Sequence, residues 1–157
     1  ANEVIAREDP YRASARITAG KLYTGNFKNR MILGGFDVVY DCVGSGKTLW
    51  DCLRWARAGG AVVLAGVNLK PMKVDLTPVW YQQVDLLGLY AHGMEEWNGV
   101  KQSTYDITKD LLLKKKLSID GLMTHHFPLE QWRTAVRTAK DKNSGAIKVV
   151  LDLRELD

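Results

Sequence analysis

Three short segments of the chain combine glycine with small or apolar residues at the carboxyl ends of predicted strands. They read DCVGSG over 41–46, AGVN over 65–68 and GLYAHG over 88–93. In an open α/β sheet a ligand binds beyond the carboxyl ends of the strands, where loops and helix N-termini gather. Residues this small let a flat ring approach and hydrogen-bond to the backbone. Each segment taken singly is more simply explained as a turn. The prediction of a ligand-binding site therefore rests on the common position of the three segments at strand ends.

Other chemical motifs are missing or poorly spaced. The sequence has no G-x-G-x-x-G or G-x-S-x-G pattern, and GSGKT at 44–48 ends like a phosphate loop but lacks that pattern's first glycine. Ser45 and Gly46 could still favour an anion at a helix N-terminus. The only histidines are His92, His125 and His126, and the last two would point to opposite faces of a strand. Metal ligation is therefore disfavoured.

A strand, a helix and a second strand are predicted in the middle of the chain. Residues 35–44 are β-branched and aromatic between glycines, which is typical of a strand covered on both faces. Ser45 can cap a helix over 47–58 that Gly59 and Gly60 would end. Residues 61–67 form the next buried strand. This βαβ unit requires a sheet that is at least partly parallel.

Weaker patterns predict the remaining elements. Asp9 and Pro10 can start a helix that runs to about Leu22, and residues 23–35 show no clear period. Apolar spacing predicts the other helices and strands. The helices are at 77–83, 104–116 and 128–140, and the strands at 2–5, 84–91, 122–127 and 146–153.

Composition excludes several classes of partner. The net charge is +4 over 157 residues, but the basic residues are scattered, and only 114–116 forms a run. No nucleic-acid-binding motif accompanies that run, so we expect no nucleic acid partner. Apolar runs fall far short of the roughly 20 residues that cross a bilayer, so we expect no membrane partner. Two embedded cysteines favour a reducing compartment, the cytoplasm. The start has neither an initiator methionine nor a signal peptide, which suggests a truncated chain.

Four segments in order carry a resemblance to a known family. GFDVVYDCVG at 35–44, RAGGAVVLAGV at 57–67, THHFPLE at 124–130 and SGAIKVVL at 144–151 closely resemble the medium-chain, zinc-type alcohol dehydrogenases. The resemblance implies a partial Rossmann-type doubly wound parallel sheet, strands three to six, with C-terminal helices and a strand. It implies a partial NAD(P)-binding domain over 1–116 and a C-terminal return segment over 117–157. The fingerprint glycines and the N-terminal catalytic domain are expected to be missing.

The same resemblance implies a set of cofactor-binding residues. Cys42, Val43 and Gly44 would line the nicotinamide ribose, Gly66 and Val67 would face the nicotinamide, and Leu89 and Tyr90 would meet its carboxamide. Lys148 stands where some relatives have a basic residue on the pyrophosphate, although a solvated strand lysine is about as good an explanation. The cofactor would be NAD or NADP. Zinc is expected only in the missing N-terminal domain, and no catalytic or metal-binding residue is predicted here.

The whole enzyme that these features imply would transfer hydride between a small-molecule alcohol and the nicotinamide, with zinc polarising the oxygen. We expect the 157-residue chain alone to show no turnover. Two alternatives stay open at this point. One is a quinone reductase-like member of the same superfamily, and the other is a non-catalytic oligomerising fragment.

A missing neighbour for the strand around Asp37 predicts self-association. In the strand order 3-2-1-4-5-6, the two missing strands separate the segment that starts at Asn2 from this strand, which becomes a hydrophobic edge. We therefore expect the isolated chain to associate, most simply as a homo-oligomer, or to depend on partner chains. Sedimentation velocity checks this expectation, and a well-behaved monomer at micromolar concentration would contradict it.

Overall fold

A computed structural model describes residues 2–26 and 29–153 as alternating short helices and strands. The chain divides into two compact units, Ala1–Ala91 and His92–Asp157. The elements of the first unit are α1 (Pro10–Ile17), β1 (Lys21–Thr24), β2 (Arg30–Leu33), β3 (Phe36–Asp41), α2 (Gly46–Trp55), β4 (Ala56–Leu64), α3 (Thr77–Tyr81) and β5 (Asp85–Gly88). Those of the second are β6 (Met94–Trp97), β7 (Val100–Ser103), α4 (Thr104–Leu113), β8 (Met123–Pro128), α5 (Trp132–Lys140) and β9 (Lys148–Asp152).

The first unit is built on a parallel sheet with the order β3-β4-β5. Helix α2 connects β3 to β4 and packs its apolar face on the sheet, as its helical spacing predicts. The buried cluster consists of Leu49, Cys52, Leu53, Ala56, Val62 and Val84. The predicted α/β class and the βαβ unit are thus confirmed.

Local signals set the start of α2. Ser45 is the N-cap, and its hydroxyl accepts a hydrogen bond from the Thr48 amide at 3.1 Å. The Ser45 amide donates in return to Thr48 Oγ1 at 3.0 Å, which completes a capping box. The predicted cap is therefore confirmed.

A buried arginine ties distant segments to α2. Arg54 is fully buried, and its guanidinium pairs with Asp75, donates to Asn29 Oδ1 at 2.8 Å and lies 3.5 Å from the ring centre of Trp50. These contacts satisfy a charge that would be costly to bury alone. Hydrogen bonds from Thr77, together with Arg54, lower the pKa of Asp75 below its usual value. Arg54 thereby fixes the segment that follows β4.

The second unit contains an antiparallel hairpin and a parallel strand pair. Strands β6 and β7 form the hairpin, and α4 follows with Ser103 as its N-cap. Strand β8 pairs in parallel with β9, and α5 connects them after a 3₁₀ turn at Leu129–Gln131. The sequence predicts this last strand, helix and strand in the right order, whereas it does not predict the β6-β7 hairpin.

The N-terminal predictions are partly wrong. Residues 2–5 form no strand, because they have no ladder partner within the described ranges. Helix α1 starts at Pro10 with Asp9 as its cap, as predicted, but it ends at Ile17. The chain then reverses in an antiparallel pair of β1 and β2, so the prediction of an irregular 23–35 segment is also wrong.

The predicted end of α2 is wrong as well. The helix stops at Trp55, because Ala56 is already extended and pairs with Phe36. Gly59 and Gly60 do not end the helix but lie inside β4, beside an irregularity in its pairing with β3. Gly59 adopts a positive φ of 66° and its amide donates to the Gln82 carbonyl at 2.8 Å. Glycine there permits a bulge instead of a helix end.

Strand β3 is covered on one face and lies at an edge. Val39 packs on the α2 side, whereas Val38 and Tyr40, on the alternate face, are 46% and 62% exposed. The prediction that both faces are covered is therefore wrong. Within the described part of the chain β3 pairs with β4 alone, which confirms its predicted edge position. Association through this edge stays a prediction.

Two further findings concern the organisation of the chain. No helix among the described residues has the length and apolar character that a membrane crossing requires. The chain divides into its compact units between Ala91 and His92. The predicted boundary after Lys116 separates functional parts of the chain and stays a prediction.

Gly35 sits where β3 passes the end of α2, and we expect Gly35→Ala to destabilise the fold. An added Cβ would lie 1.9 Å from the Trp55 carbonyl oxygen, a backbone atom that cannot rotate away. Overpacking of this kind should lower the free energy of unfolding by about 3 kcal/mol. Urea denaturation followed by circular dichroism measures this change.

Gly88→Ala is the matched control, because an added Cβ at Gly88 meets no atom within 4 Å. Its free energy of unfolding should stay within about 1 kcal/mol of the wild type. Equal losses from both substitutions would contradict the steric explanation.

Candidate functional site

Three loops lie together at the carboxyl edge of the β3-β4-β5 sheet. Cys42, Val43 and Gly44 follow β3, Gly66 and Val67 lie just beyond β4, and Leu89 and Tyr90 follow β5. Because the three strands are parallel neighbours, their ends share one side of the sheet. The Leu89 amide donates to the Leu64 carbonyl at 3.0 Å, which holds the third loop to the end of β4.

The last residue of β3 organises the first loop. The Asp41 side chain is 1% exposed, and its Oδ1 accepts hydrogen bonds from the amides of Val43 at 3.0 Å and Gly44 at 2.9 Å. Thr48 Oγ1 lies 3.1 Å from Oδ2 and connects the carboxylate to α2. Sequence reasoning missed Asp41. An acidic residue at the end of an apolar strand, followed by small residues, is the signal that could have found it.

The first and second loops touch through their backbones. Gly44 has a φ of +74°, and a Cβ added there would lie 2.7 Å from the Gly66 carbonyl group. A Cβ added at Gly66 would lie 2.3 Å from the Gly44 nitrogen. Neither position has room for a side chain, so glycine at both is what permits the loops to meet.

Apolar side chains surround this contact and face solvent. Val43 is 63% exposed, Val67 80%, Leu89 57% and Tyr90 76%. Large exposed apolar side chains grouped at a sheet edge are typical of a surface that binds a ligand or another chain. The edge therefore combines two closely packed backbone loops with exposed apolar surface.

Lys148 belongs to the second unit. It starts β9 and lines an open groove of about 360 Å³ together with Ile119, Leu122, Met123 and Ile147. The structure thus groups seven of the eight predicted cofactor-binding residues on one sheet edge, and it places Lys148 in a separate compact unit.

The two thiols of the first unit differ in environment. Cys42 is exposed in the first loop, whereas Cys52 is 4% exposed in the core under α2. Burial, reinforced by the negative charge of Asp41, raises the pKa of Cys52 to about 12. Cys42 is thus the accessible thiol of the sheet edge.

Histidine, cysteine and carboxylate groups do not cluster for metal binding. Within residues 2–26 and 29–153, no three of them lie where they could hold one metal ion. His92 stacks on Tyr105 with ring centres 5.5 Å apart, which places it in a packing contact.

A family model described as zinc-binding dehydrogenase matches residues 23–104, which include β3, α2, β4, β5 and the three loops. The chain belongs to the zinc-binding dehydrogenase family. The match covers the whole carboxyl edge, so the resemblance inferred from the sequence is confirmed.

Individual relatives of this chain are also dehydrogenases by name. L-idonate 5-dehydrogenase of Vitis vinifera is 30% identical over 95% of the chain. Alcohol dehydrogenase TADH from Thermus sp. ATN1 superposes on 94% of the chain with a TM-score of 0.68 and 22% identity. A zinc-binding dehydrogenase from Sinorhizobium meliloti 1021, solved bound to NADP, superposes on 74% with a TM-score of 0.58 and 23% identity. These likenesses confirm the partial Rossmann-type fold.

The chain is much shorter than these relatives. It spans 38% of the length of the Vitis vinifera protein, and 36% and 31% of the two solved chains.

The pKa and burial of Cys52 predict selective alkylation in the native protein. At pH 8, iodoacetamide should modify Cys42 and leave Cys52 intact, because the pKa of Cys52 is raised from 9.0 to about 12. A shift of this size reduces the reactive thiolate about a thousandfold relative to an ordinary cysteine. Mass spectrometry of peptides after timed quenching gives the two rates.

Urea-unfolded protein is the control for this experiment, and there both cysteines should react at similar rates. Modification of Cys52 in step with Cys42 under native conditions would contradict the buried placement of Cys52.

Proposed function

We propose that this chain is the C-terminal, cofactor-binding part of an NAD(P)-dependent, zinc-type alcohol or polyol dehydrogenase. Family membership and the likeness to an L-idonate 5-dehydrogenase support the class of reaction. The observation that carries the proposal is the contact of two glycine loops at the end of a parallel sheet, framed by exposed apolar side chains. Ligands bind α/β sheets at this edge.

The residues at the edge fit the nicotinamide end of such a cofactor. Gly44 and Gly66 carry no side chain that could hold a flat ring away from the backbone. The exposed side chains of Val43, Val67 and Leu89 supply apolar surface for the ring to cover. A solved relative is bound to NADP, which supports a nicotinamide dinucleotide as the ligand class.

Each predicted contact residue has a role in this proposal. Cys42, Val43 and Gly44 bind the nicotinamide ribose, and Gly66 and Val67 contact the ring. Leu89 and Tyr90 bind the carboxamide, largely through their backbone, and so orient the ring. Lys148 contacts the pyrophosphate as a single charge.

The bound nicotinamide supplies hydride exchange with the carbon of a small-molecule alcohol. The residues of this chain bind and orient the ring and exclude water from one side of it. No metal-binding or acid–base role is assigned to them, and zinc is assigned to the N-terminal domain of the whole enzyme. We further propose that the protein acts as a homo-oligomer in the cytoplasm.

The exposed thiol of Cys42 provides a test of the proposed site. NADH and nicotinamide mononucleotide should each slow iodoacetamide alkylation of Cys42 at least threefold, because both place a nicotinamide ribose over the first loop. The backbone amide signals of Val43, Gly44, Gly66 and Leu89 should shift in the same titration. Peptide mass spectrometry and ¹H–¹⁵N correlation spectra measure the two effects.

Adenosine monophosphate is the matched control ligand, since it has a ribose and a phosphate but no nicotinamide. It should leave both the alkylation rate and these amide signals unchanged. Equal protection by adenosine monophosphate, or no effect of NADH at millimolar concentration, would sink the proposed function.

A further inference from the structure

One residue, Asp41, holds two of the three loops through two different groups. Its carboxylate accepts the amides of Val43 and Gly44 in the first loop. Its backbone carbonyl accepts the amides of Ala65 at 3.0 Å and Gly66 at 2.7 Å in the second. The side chain thus acts on the loop after β3, and the main chain acts on the segment after β4.

Other acceptors cannot easily replace Asp41 in these hydrogen bonds. Asp41 is 1% exposed, so water cannot readily replace its carboxylate as the acceptor for the two amides. Thr48 Oγ1 supports the carboxylate from α2 at 3.1 Å, and the same hydroxyl is tied to the Ser45 backbone of the capping box. The acceptor is therefore anchored to both the sheet and the helix.

The two loops also constrain each other where they meet. The Gly44 and Gly66 backbones leave no space for even a Cβ between them. A shift of the first loop therefore moves or separates the second. The second loop is thus held by the Asp41 carbonyl and also by its contact with the first loop, which the Asp41 carboxylate fixes.

We propose that Asp41 is the positioning residue of the nicotinamide site, holding the 42–44 and 65–67 loops at the spacing that the cofactor requires. This inference rests on the proposed function, because the cofactor is the one assigned there. Asp41 itself is buried beneath the loops and acts through their amides and not by touching the ligand. Loss of its acceptor reduces cofactor affinity in protein that is still folded.

Three substitutions separate this role from a general loss of stability. Asp41→Ala removes the acceptor. Asp41→Asn keeps Oδ1 for the amides, and its amide nitrogen can donate to Thr48 Oγ1. Asp51→Asn is the matched control, because Asp51 is a mostly buried carboxylate on α2 that binds Tyr11 and Lys47.

The experiment measures the Kd for NADH by fluorescence, the melting temperature, and the amide signals of Gly44 and Gly66. Asp41→Ala should raise the Kd at least tenfold below its melting temperature and shift both amide signals. Asp41→Asn should restore the Kd to within threefold of the wild type. Asp51→Asn should lower the melting temperature and leave the Kd within twofold.

Results other than these overturn either the positioning role or the proposed function. A folded Asp41→Ala protein with wild-type affinity, failure of Asp41→Asn to restore binding, or an equal loss in Asp51→Asn overturns the positioning role. Should Asp41→Ala not fold, Thr48→Val carries the test, with at least a threefold rise in Kd expected and an unchanged Kd overturning the role. Wild-type protein that does not bind NADH overturns the proposed function first, and the positioning role with it.

Discussion

Backbone contact that only glycine permits fixes both ends of β3. At its start, Gly35 lies against the carbonyl of Trp55, where α2 ends. Beyond its end, Gly44 lies against Gly66, which follows β4. With both ends pinned, the strand, the crossover helix and the next strand can pack at short range around the Leu53 and Val62 core. The positions of the loops after β3 and β4 follow from this arrangement.

The most reliable sequence signals are those whose residues all lie within one short stretch of the chain. The apolar run that became β3 and the Ser45 cap each depend on local chemistry, and both are confirmed. The ordered glycine segments after three strands correctly located the edge where the loops gather. Sequence could group these residues because parallel strands end on the same side.

The failures concern features that depend on distant partners. Gly59 and Gly60 carry the signature of a helix end, but Ala56 pairs with Phe36 and extends the strand back past them. The β1-β2 and β6-β7 hairpins consist of four-residue strands, too short for periodicity to reveal. The role of Asp41 is not visible in the sequence, because it depends on amides that only the folded loops bring to this residue.

Some residues at the carboxyl edge set the path of the backbone and others form its exposed surface. This difference has a consequence for how the site could diversify. Asp41, Gly44 and Gly66 set the path of the backbone, and a change at any of them disturbs two loops at once. Val43, Val67 and Tyr90 point outward and are largely exposed, so their size and polarity can vary without moving the main chain. Selection for a new ligand preference would therefore act most freely on the outward residues. The buried acid and the paired glycines would be inherited together.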